Sequence, residues 1–138
     1  MKNIFKVLKS NNAYSAAILL LRIAVGIALM FHGQNKIKDP FGWMGTSSEI
    51  PGILQALAAI SEFVGGMFLV VGLLTPISGF GILCTMGFAV YRHAIIKGDP
   101  FVGKPSYELA LIYFLITVVL LVAGPGKFSL DRAIFGQK

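Results

Sequence analysis

Charge is what this sequence lacks most. Only 13% of its 138 residues are charged, 56% are hydrophobic, and the mean hydropathy is +0.79. Soluble domains carry about 25% charged residues. This balance excludes an ordinary soluble enzyme and predicts an integral membrane protein. Four spans of about 20 residues with short connections would nearly use up the length.

Cysteine and acidic residues are also scarce. Cys84 is the single cysteine and lies in an apolar run, which excludes an internal disulfide or a Cys-x-x-Cys pair and predicts a packed core thiol. Twelve basic residues against six acidic ones give a net charge of +6, but they do not cluster with aromatics as nucleic-acid binding requires. No zinc pattern, phosphate loop, nucleophile elbow or motif for a flavin, haem or other bound cofactor stands out.

The apolar runs predict an all-α, four-helix membrane bundle in a single domain, 1–138. The helices are expected at about 13–35, 53–74, 77–96 and 107–123, with Thr75-Pro76 as a tight turn. A signal peptide is the alternative for the first run, but that run is long and contains Arg22. The longest connection, 39–51, reads as an interfacial loop or a lid. After Gly124-Pro125-Gly126, the tail predicts a short interfacial helix capped by Ser129.

Orientation follows from the charges of the two tails and of the loops with their flanking helix ends. The two tails share one side and carry six basic residues and one acidic residue, whereas the opposite loops carry five basic and three acidic residues. By the positive-inside rule, both termini are predicted to be cytoplasmic. The basic tail residues are Lys2, Lys6, Lys9, Lys127, Arg132 and Lys138.

Arg22 lies inside the first span, where a charge costs several kcal/mol. It shares one helical face with two glycines, which predicts that another helix packs on this stripe, formed by Arg22, Gly26, Leu29, Gly33 and Lys36. Glu62, near the middle of the second span, is the expected partner of Arg22. The pair either fixes helix register or forms part of a functional site.

Five polar residues are expected together at the outer boundary of the membrane. They lie at the end of the first helix, the end of the third or the start of the fourth: His32, Lys36, Arg92, His93 and Glu108. Histidine changes its charge most readily near neutral pH, so this group could exchange the protons of a quinol bound in an adjacent apolar cavity. The candidate catalytic residues are His32, Glu62 and Glu108. Arg22, Lys36, Arg92 and His93 complete the candidate ligand-binding set, and no metal site is predicted.

Three of these residues also have a structural interpretation, whereas His32 continues the helix of Arg22 and is followed by Gly33, which permits close approach. Glu108, in the first turn of the fourth helix, would complement the helix dipole. Arg92 and His93 could extend to the lipid headgroups. Ligation of a haem by the two histidines, which lie on different helices, is a further alternative, although nothing in the sequence requires it.

Three segments resemble the DoxX family of small bacterial membrane proteins: LLRIAVGIALMFHGQNK at 20–36, SEFVGGMFLVVGLLTP at 61–76 and YELALIYFLITVVLLVAGPGKFSLD at 107–131. The resemblance implies a four-helix membrane bundle. Its motif positions are Arg22, His32, Gly33, Lys36, Glu62, Gly65, Gly66, Tyr107, Glu108, Gly124, Pro125, Gly126 and Asp131.

Members of this family are linked to thiosulfate:quinone oxidoreduction, oxidative and thiol stress, and quinone resistance. The resemblance therefore implies a subunit of a redox or oxidative-stress system in the bacterial inner membrane that interacts with a quinone or quinol. Its electrons would come from a partner protein or a soluble reductant, and Cys84 alone argues against self-contained sulfur transfer. The alternative is a non-enzymatic scaffold or small lipid or solute transport module. Expected partners are membrane lipids, a redox protein and a second copy of the chain.

Overall fold

The computed structural model describes residues 11–136, and within them the secondary structure is entirely helical. Lys2, Lys6, Lys9 and Lys138, used for the predicted orientation, lie outside this range. The α-helices are α1 (Asn12–Gly33), α2 (Gly52–Val71), α3 (Thr75–Tyr91), α4 (Glu108–Ala123) and α5 (Leu130–Phe135). A 3-10 turn (Lys36–Lys38) follows α1, and a π turn (Arg92–Ile96) continues α3.

Three helical segments are long and apolar enough to cross a membrane: Asn12–Gly33, Gly52–Val71 and Thr75–Ile96. The fourth, α4, is apolar but has only 16 residues. It buries Thr117 and Leu120, and its other side chains are half-buried or exposed. The exposed ones recur every three or four residues along one side, as expected for a helix with one lipid-facing side: Leu109, Ile112, Leu115, Val119 and Val122.

The second helix ends three residues before its predicted end, at Val71. Gly72 adopts a left-handed conformation with φ 67°, and the Leu73 N–H donates to the Phe68 carbonyl at 2.9 Å. This bond closes the helix as in a Schellman motif, for which glycine is the preferred residue. The α2–α3 connection is therefore tight, and α3 runs antiparallel to α2.

The glycine stripe of α1 packs against α2, as predicted. Arg22, Gly26, Leu29 and Gly33 are all buried. A Cβ atom on Gly26 would lie 2.6 Å from the Gly66 carbonyl oxygen, and one on Gly66 would lie 2.7 Å from that of Gly26. The two backbones are therefore in direct contact, which only small residues permit.

Replacing Gly66 with leucine is expected to lower the melting temperature of the detergent-solubilised protein strongly. The new side chain has no space against the α1 backbone, and overpacking of this kind costs about 1–3 kcal/mol or more. Ala24→Leu is the matched control, because Ala24 lies on the exposed side of α1. Equal melting temperatures for the two variants would show that α1 and α2 do not pack through this stripe.

The tail forms the short helix α5, and the predicted cap is correct. The Ser129 hydroxyl accepts a hydrogen bond from the Arg132 N–H at 3.3 Å. Leu130 and Ile134 are exposed, whereas Asp131 is fully buried. One face of α5 is therefore apolar and open, and the other carries a carboxylate into the protein.

Candidate functional site

The predicted pairing of Arg22 with Glu62 is wrong. Arg22 is fully buried, and its two terminal nitrogens donate to main-chain carbonyls near the C-terminus, Pro125 at 2.7 Å and Phe128 at 2.6 Å. Its Nε atom has no hydrogen-bond partner among the described residues. The guanidinium therefore joins α1 to the segment that connects α4 and α5.

The register of the antiparallel helices explains this error. Gly33 of α1 lies against Phe63, next to Glu62, whereas Arg22 lies against Gly72 at the other end of α2. Eleven residues of helix between Arg22 and Gly33 correspond to about 16 Å. The two charged side chains are thus separated by about this distance along the α1–α2 contact.

Asp131 completes the interactions around Arg22. Its carboxylate accepts hydrogen bonds from the N–H groups of Leu74 at 2.6 Å and Thr75 at 2.9 Å, and its own N–H donates to the Gly72 carbonyl at 2.9 Å. It therefore caps the N-terminus of α3, where a helix leaves donors without partners and favours negative charge. Asp131 attracts Arg22 electrostatically, without a direct hydrogen bond between them. We call these five residues the Arg22–Asp131 cluster: Arg22, Gly72, Leu74, Thr75 and Asp131.

Glu62, in the middle of α2, has a different partner. Lys36 Nζ lies 2.6 Å from both carboxylate oxygens of Glu62, and the Glu62 side chain is 3% exposed against 24% for Lys36. The same Nζ atom lies 4.5 Å from the ring centroid of Trp43, within the range of a cation–π interaction. A buried carboxylate, an ammonium and an indole therefore form one contact group.

The connection between α1 and α2 folds back over this group, as a lid would. Gln55 of α2, itself buried, holds the loop by three bonds: its carbonyl accepts from Trp43 Nε1 at 3.0 Å, its Oε1 from the Met44 N–H at 3.0 Å, and its Nε2 donates to the Ile50 carbonyl at 2.9 Å. Gln55 and Glu62 are seven residues apart and so share one face of α2, but nothing in the sequence indicates this role. From the sequence alone, Trp43 is equally consistent with an aromatic residue at the membrane interface.

A cavity of about 600 Å³ lies beneath this loop, between the ends of α2 and α3. From α2 it is lined by Leu54, Gln55, Leu57, Ala58 and Glu62. From α3 it is lined by Cys84, Thr85, Phe88 and Ala89. The walls are mostly apolar, with a few polar groups at defined positions, which is typical of a small-molecule site.

The π turn supplies the remaining wall of the cavity with Arg92 and His93, followed by Lys97. Arg92 Nη1 contacts the Met44 thioether at 3.4 Å, and His93 Nδ1 lies 2.6 Å from the Asp99 carboxylate. π turns are rare and frequently occur at functional sites.

The structure brings four of the seven predicted ligand-binding residues to this cavity: Lys36, Glu62, Arg92 and His93. Arg22, His32 and Glu108 do not line it. His32 is exposed, with its ring edge-on to Tyr113 at 5.9 Å, and Glu108 lies in the first turn of α4. Of the three candidate catalytic residues, only Glu62 reaches the cavity.

Cys84 differs from the prediction of a packed core thiol. It is exposed and lies on the cavity wall contributed by α3. The apolar run around it marks a lipid-facing and cavity-facing helix rather than a fully buried one. Among residues 11–136, no group of three or more His, Cys, Asp or Glu side chains could hold a metal ion.

The chain belongs to the DoxX family: the family model matches residues 17–94, more than half of the sequence. These residues cover α1, the loop over the cavity, α2, α3 and the start of the π turn. The fold and the match together define a DoxX-family membrane protein.

Two curated proteins are similar over most of their length. One, described as uncharacterized, comes from Haemophilus influenzae and is 29% identical over 121 residues, 86% of this chain and 90% of the relative. The other is "Putative oxidoreductase CatD" of Bacillus subtilis, 28% identical over 133 residues, 93% of this chain and 94% of the relative. No solved structure matches the chain.

Proposed function

We propose that this protein binds a quinone or quinol in the cavity between α2, α3 and the loop over them, as a membrane subunit of a redox system. The observation that carries this proposal is the buried Lys36–Glu62 pair at the wall of an otherwise apolar and aromatic cavity. The oxidoreductase name of the Bacillus subtilis relative supports a redox role.

The polar groups of the cavity match the needs of a quinone ring. A quinone carbonyl requires a hydrogen-bond donor, and a quinol hydroxyl requires an acceptor. Lys36 has three N–H donors, of which Glu62 takes at most two, and Arg92 has five N–H donors, for which the Met44 thioether is a poor acceptor. Glu62 is the acceptor on the same wall, and Phe88 and Trp43 offer aromatic surfaces to the ring.

The redox chemistry divides between this chain and a partner. Oxidation of a quinol releases two protons and two electrons. Glu62, beside Lys36, is positioned to take a proton from a bound hydroxyl. Because the sequence has no motif for a flavin or haem, we propose that a partner protein accepts the electrons when a quinol is oxidised. When a quinone is reduced, the electrons come from a partner protein or a soluble reductant.

The protein is proposed to cross the bacterial cytoplasmic membrane four times, with both termini in the cytoplasm. The 16 residues of α4 span about 24 Å, and local thinning of the bilayer makes up the difference from a hydrocarbon core of about 30 Å. In this orientation the cavity lies at the outer end of the bundle and the Arg22–Asp131 cluster at the cytoplasmic end.

Binding can be measured through Trp43, the single tryptophan of the chain, because it lines the cavity. Titration of the purified protein with a short-chain benzoquinone is expected to quench its fluorescence saturably and to raise the melting temperature. Ala58→Phe places a ring inside the cavity and is expected to weaken binding at least tenfold, a loss of about 1.4 kcal/mol.

Ala24→Phe is the control for this change, because it adds the same side chain on the exposed face of α1. Non-saturable quenching that is equal in the two variants would mean that the quinone only partitions into the micelle, and the proposal would fail. Phospholipid that fills the cavity and excludes every quinone tested would favour the scaffold or lipid-transport alternative.

A further inference from the structure

The cavity has more positive than negative side chains: Lys36, Arg92 and Lys97 line it, and Glu62 is the single carboxylate among its lining residues. Glu62 forms a salt bridge with Lys36, and the carboxylate of Asp99, outside the cavity lining, lies against the His93 ring. Arg92 and Lys97 also line the cavity, yet within residues 11–136 no carboxylate forms a salt bridge with either. The contact made by the Arg92 guanidinium is the Met44 sulfur, a neutral and weak acceptor.

The π turn places these two cations together. Residues five apart in an α-helix point about 140° away from each other, since each residue turns the helix by about 100°. A π turn closes its hydrogen bond over five residues, and here the Lys97 N–H donates to the Arg92 carbonyl at 3.0 Å. Arg92 and Lys97 therefore lie on the same face of the turn, and both line the cavity.

The neighbouring residues hold this turn in place. The Asp99 N–H donates to the His93 carbonyl at 2.9 Å, while the Asp99 carboxylate contacts the His93 ring at 2.6 Å. Gly98 between them has a left-handed φ of 67°. The only acidic group of this segment is thus directed at His93, which leaves Arg92 and Lys97 available to a ligand.

A neutral quinone would leave this charge uncompensated. Next to apolar walls such as Phe88 and Leu54, the effective dielectric constant is lower than in water, and a cation attracts an anion more strongly. The planar guanidinium matches the geometry of a carboxylate, a phosphate or another pair of anionic oxygens.

We infer that the ligand of this cavity carries an ionised oxygen, which binds between Arg92 and Lys97 while its apolar body lies along Phe88 and Leu54. The ligand class is an anionic amphiphile. Its anion is either the ionised hydroxyl or carboxylate of an acidic quinone-type ring, or the phosphate of a lipid headgroup. This inference rests on the proposed function, since it concerns the ligand of the same cavity.

The test compares two matched ligands by Trp43 fluorescence: a hydroxynaphthoquinone that is ionised at neutral pH and its neutral O-methyl ether. The ionised ring is expected to bind the native protein about tenfold more tightly, and added salt should reduce this preference. The preference should disappear in Arg92→Gln with Lys97→Gln and persist in Lys38→Gln, a matched exposed cation outside the cavity. Lys97→Gln alone changes an exposed side chain and tests the inference even if Arg92→Gln folds poorly.

The outcomes separate this inference from the proposed function. Equal affinities for the two rings, or a preference retained in the double variant, would overturn the inference and leave quinone binding intact. A lipid source is tested in nanodiscs of phosphatidylglycerol or phosphatidylcholine. If no ring binds in either, but phosphatidylglycerol raises the melting temperature through Arg92 and Lys97, the anionic site stands and the proposed function fails. If neither ring nor phosphatidylglycerol binds, both fail.

Discussion

Replacing Asp131 with alanine is expected to lower the free energy of unfolding by about 3–5 kcal/mol, the range for breaking a buried charged interaction. The change leaves the N–H groups of Leu74 and Thr75 without their hydrogen-bond acceptor, and each unsatisfied buried donor costs about 1–3 kcal/mol. It also removes the negative charge that attracts the buried Arg22. Chemical or thermal unfolding of the protein in detergent measures the loss.

Two control variants define this effect. Asp131→Asn keeps one acceptor oxygen and should lose only part of the stability, whereas Glu49→Ala removes an exposed loop carboxylate and should change it by less than about 0.5 kcal/mol. Because the Arg22–Asp131 cluster lies far from the cavity, folded Asp131→Asn should bind ligand like the native protein. An Asp131→Ala variant as stable as Glu49→Ala would show that this carboxylate does not cap α3.

The helices and their packing faces could be predicted because they depend on local pattern. The spacing of Arg22, Gly26, Leu29 and Gly33 defines one face of a helix, and small residues on such a face indicate close packing. The partner of Arg22 could not be found in the same way. Its acceptors are main-chain carbonyls, which every residue carries, and the register between antiparallel helices leaves no trace in the spacing of either helix.

The cavity was predictable in part. Spacings of three and four residues put Gln55, Ala58 and Glu62 on one face of α2, and Thr85, Phe88 and Arg92 on one face of α3 and its continuation. These two faces form walls of the cavity. The bonds of Gln55 to the loop depend on tertiary folding. The π turn had no sequence indication, so the alignment of Lys97 with Arg92 could not be anticipated.

Five of the family's motif residues form two separate groups in the bundle. Arg22, Pro125 and Asp131 meet in the hydrogen-bonded contacts that tie α1, α3 and α5 together. Lys36 and Glu62 meet at the cavity. A motif residue of this chain can therefore be important for stability without touching a ligand, and Arg22 is the clearest example.

Breaking the Lys36–Glu62 pair is the second change with a large expected effect. Lys36→Met or Glu62→Leu alone leaves one charge in a mostly buried site and should lower the free energy of unfolding by about 3–5 kcal/mol. The double variant leaves no uncompensated charge and should be more stable than either single variant, so the coupling energy should exceed the larger single loss, about 3–5 kcal/mol. Unfolding of the four proteins in the same detergent gives this energy, and Trp43 fluorescence reports on ligand binding.

A second double-mutant cycle, of Arg22 with Glu62, distinguishes the observed pairing of Glu62 with Lys36 from the pairing with Arg22 that the sequence predicts. Arg22→Met and Glu62→Leu act about 16 Å apart along the helix axis, with no shared partner, so their effects should add to within about 0.5 kcal/mol. A strong coupling here, with none between Lys36 and Glu62, would contradict the helix register. Because the Lys36→Met, Glu62→Leu protein should fold, its ligand affinity isolates function: unchanged affinity would mean that the pair only stabilises the cavity wall, whereas lost affinity would place Lys36 and Glu62 at the ligand.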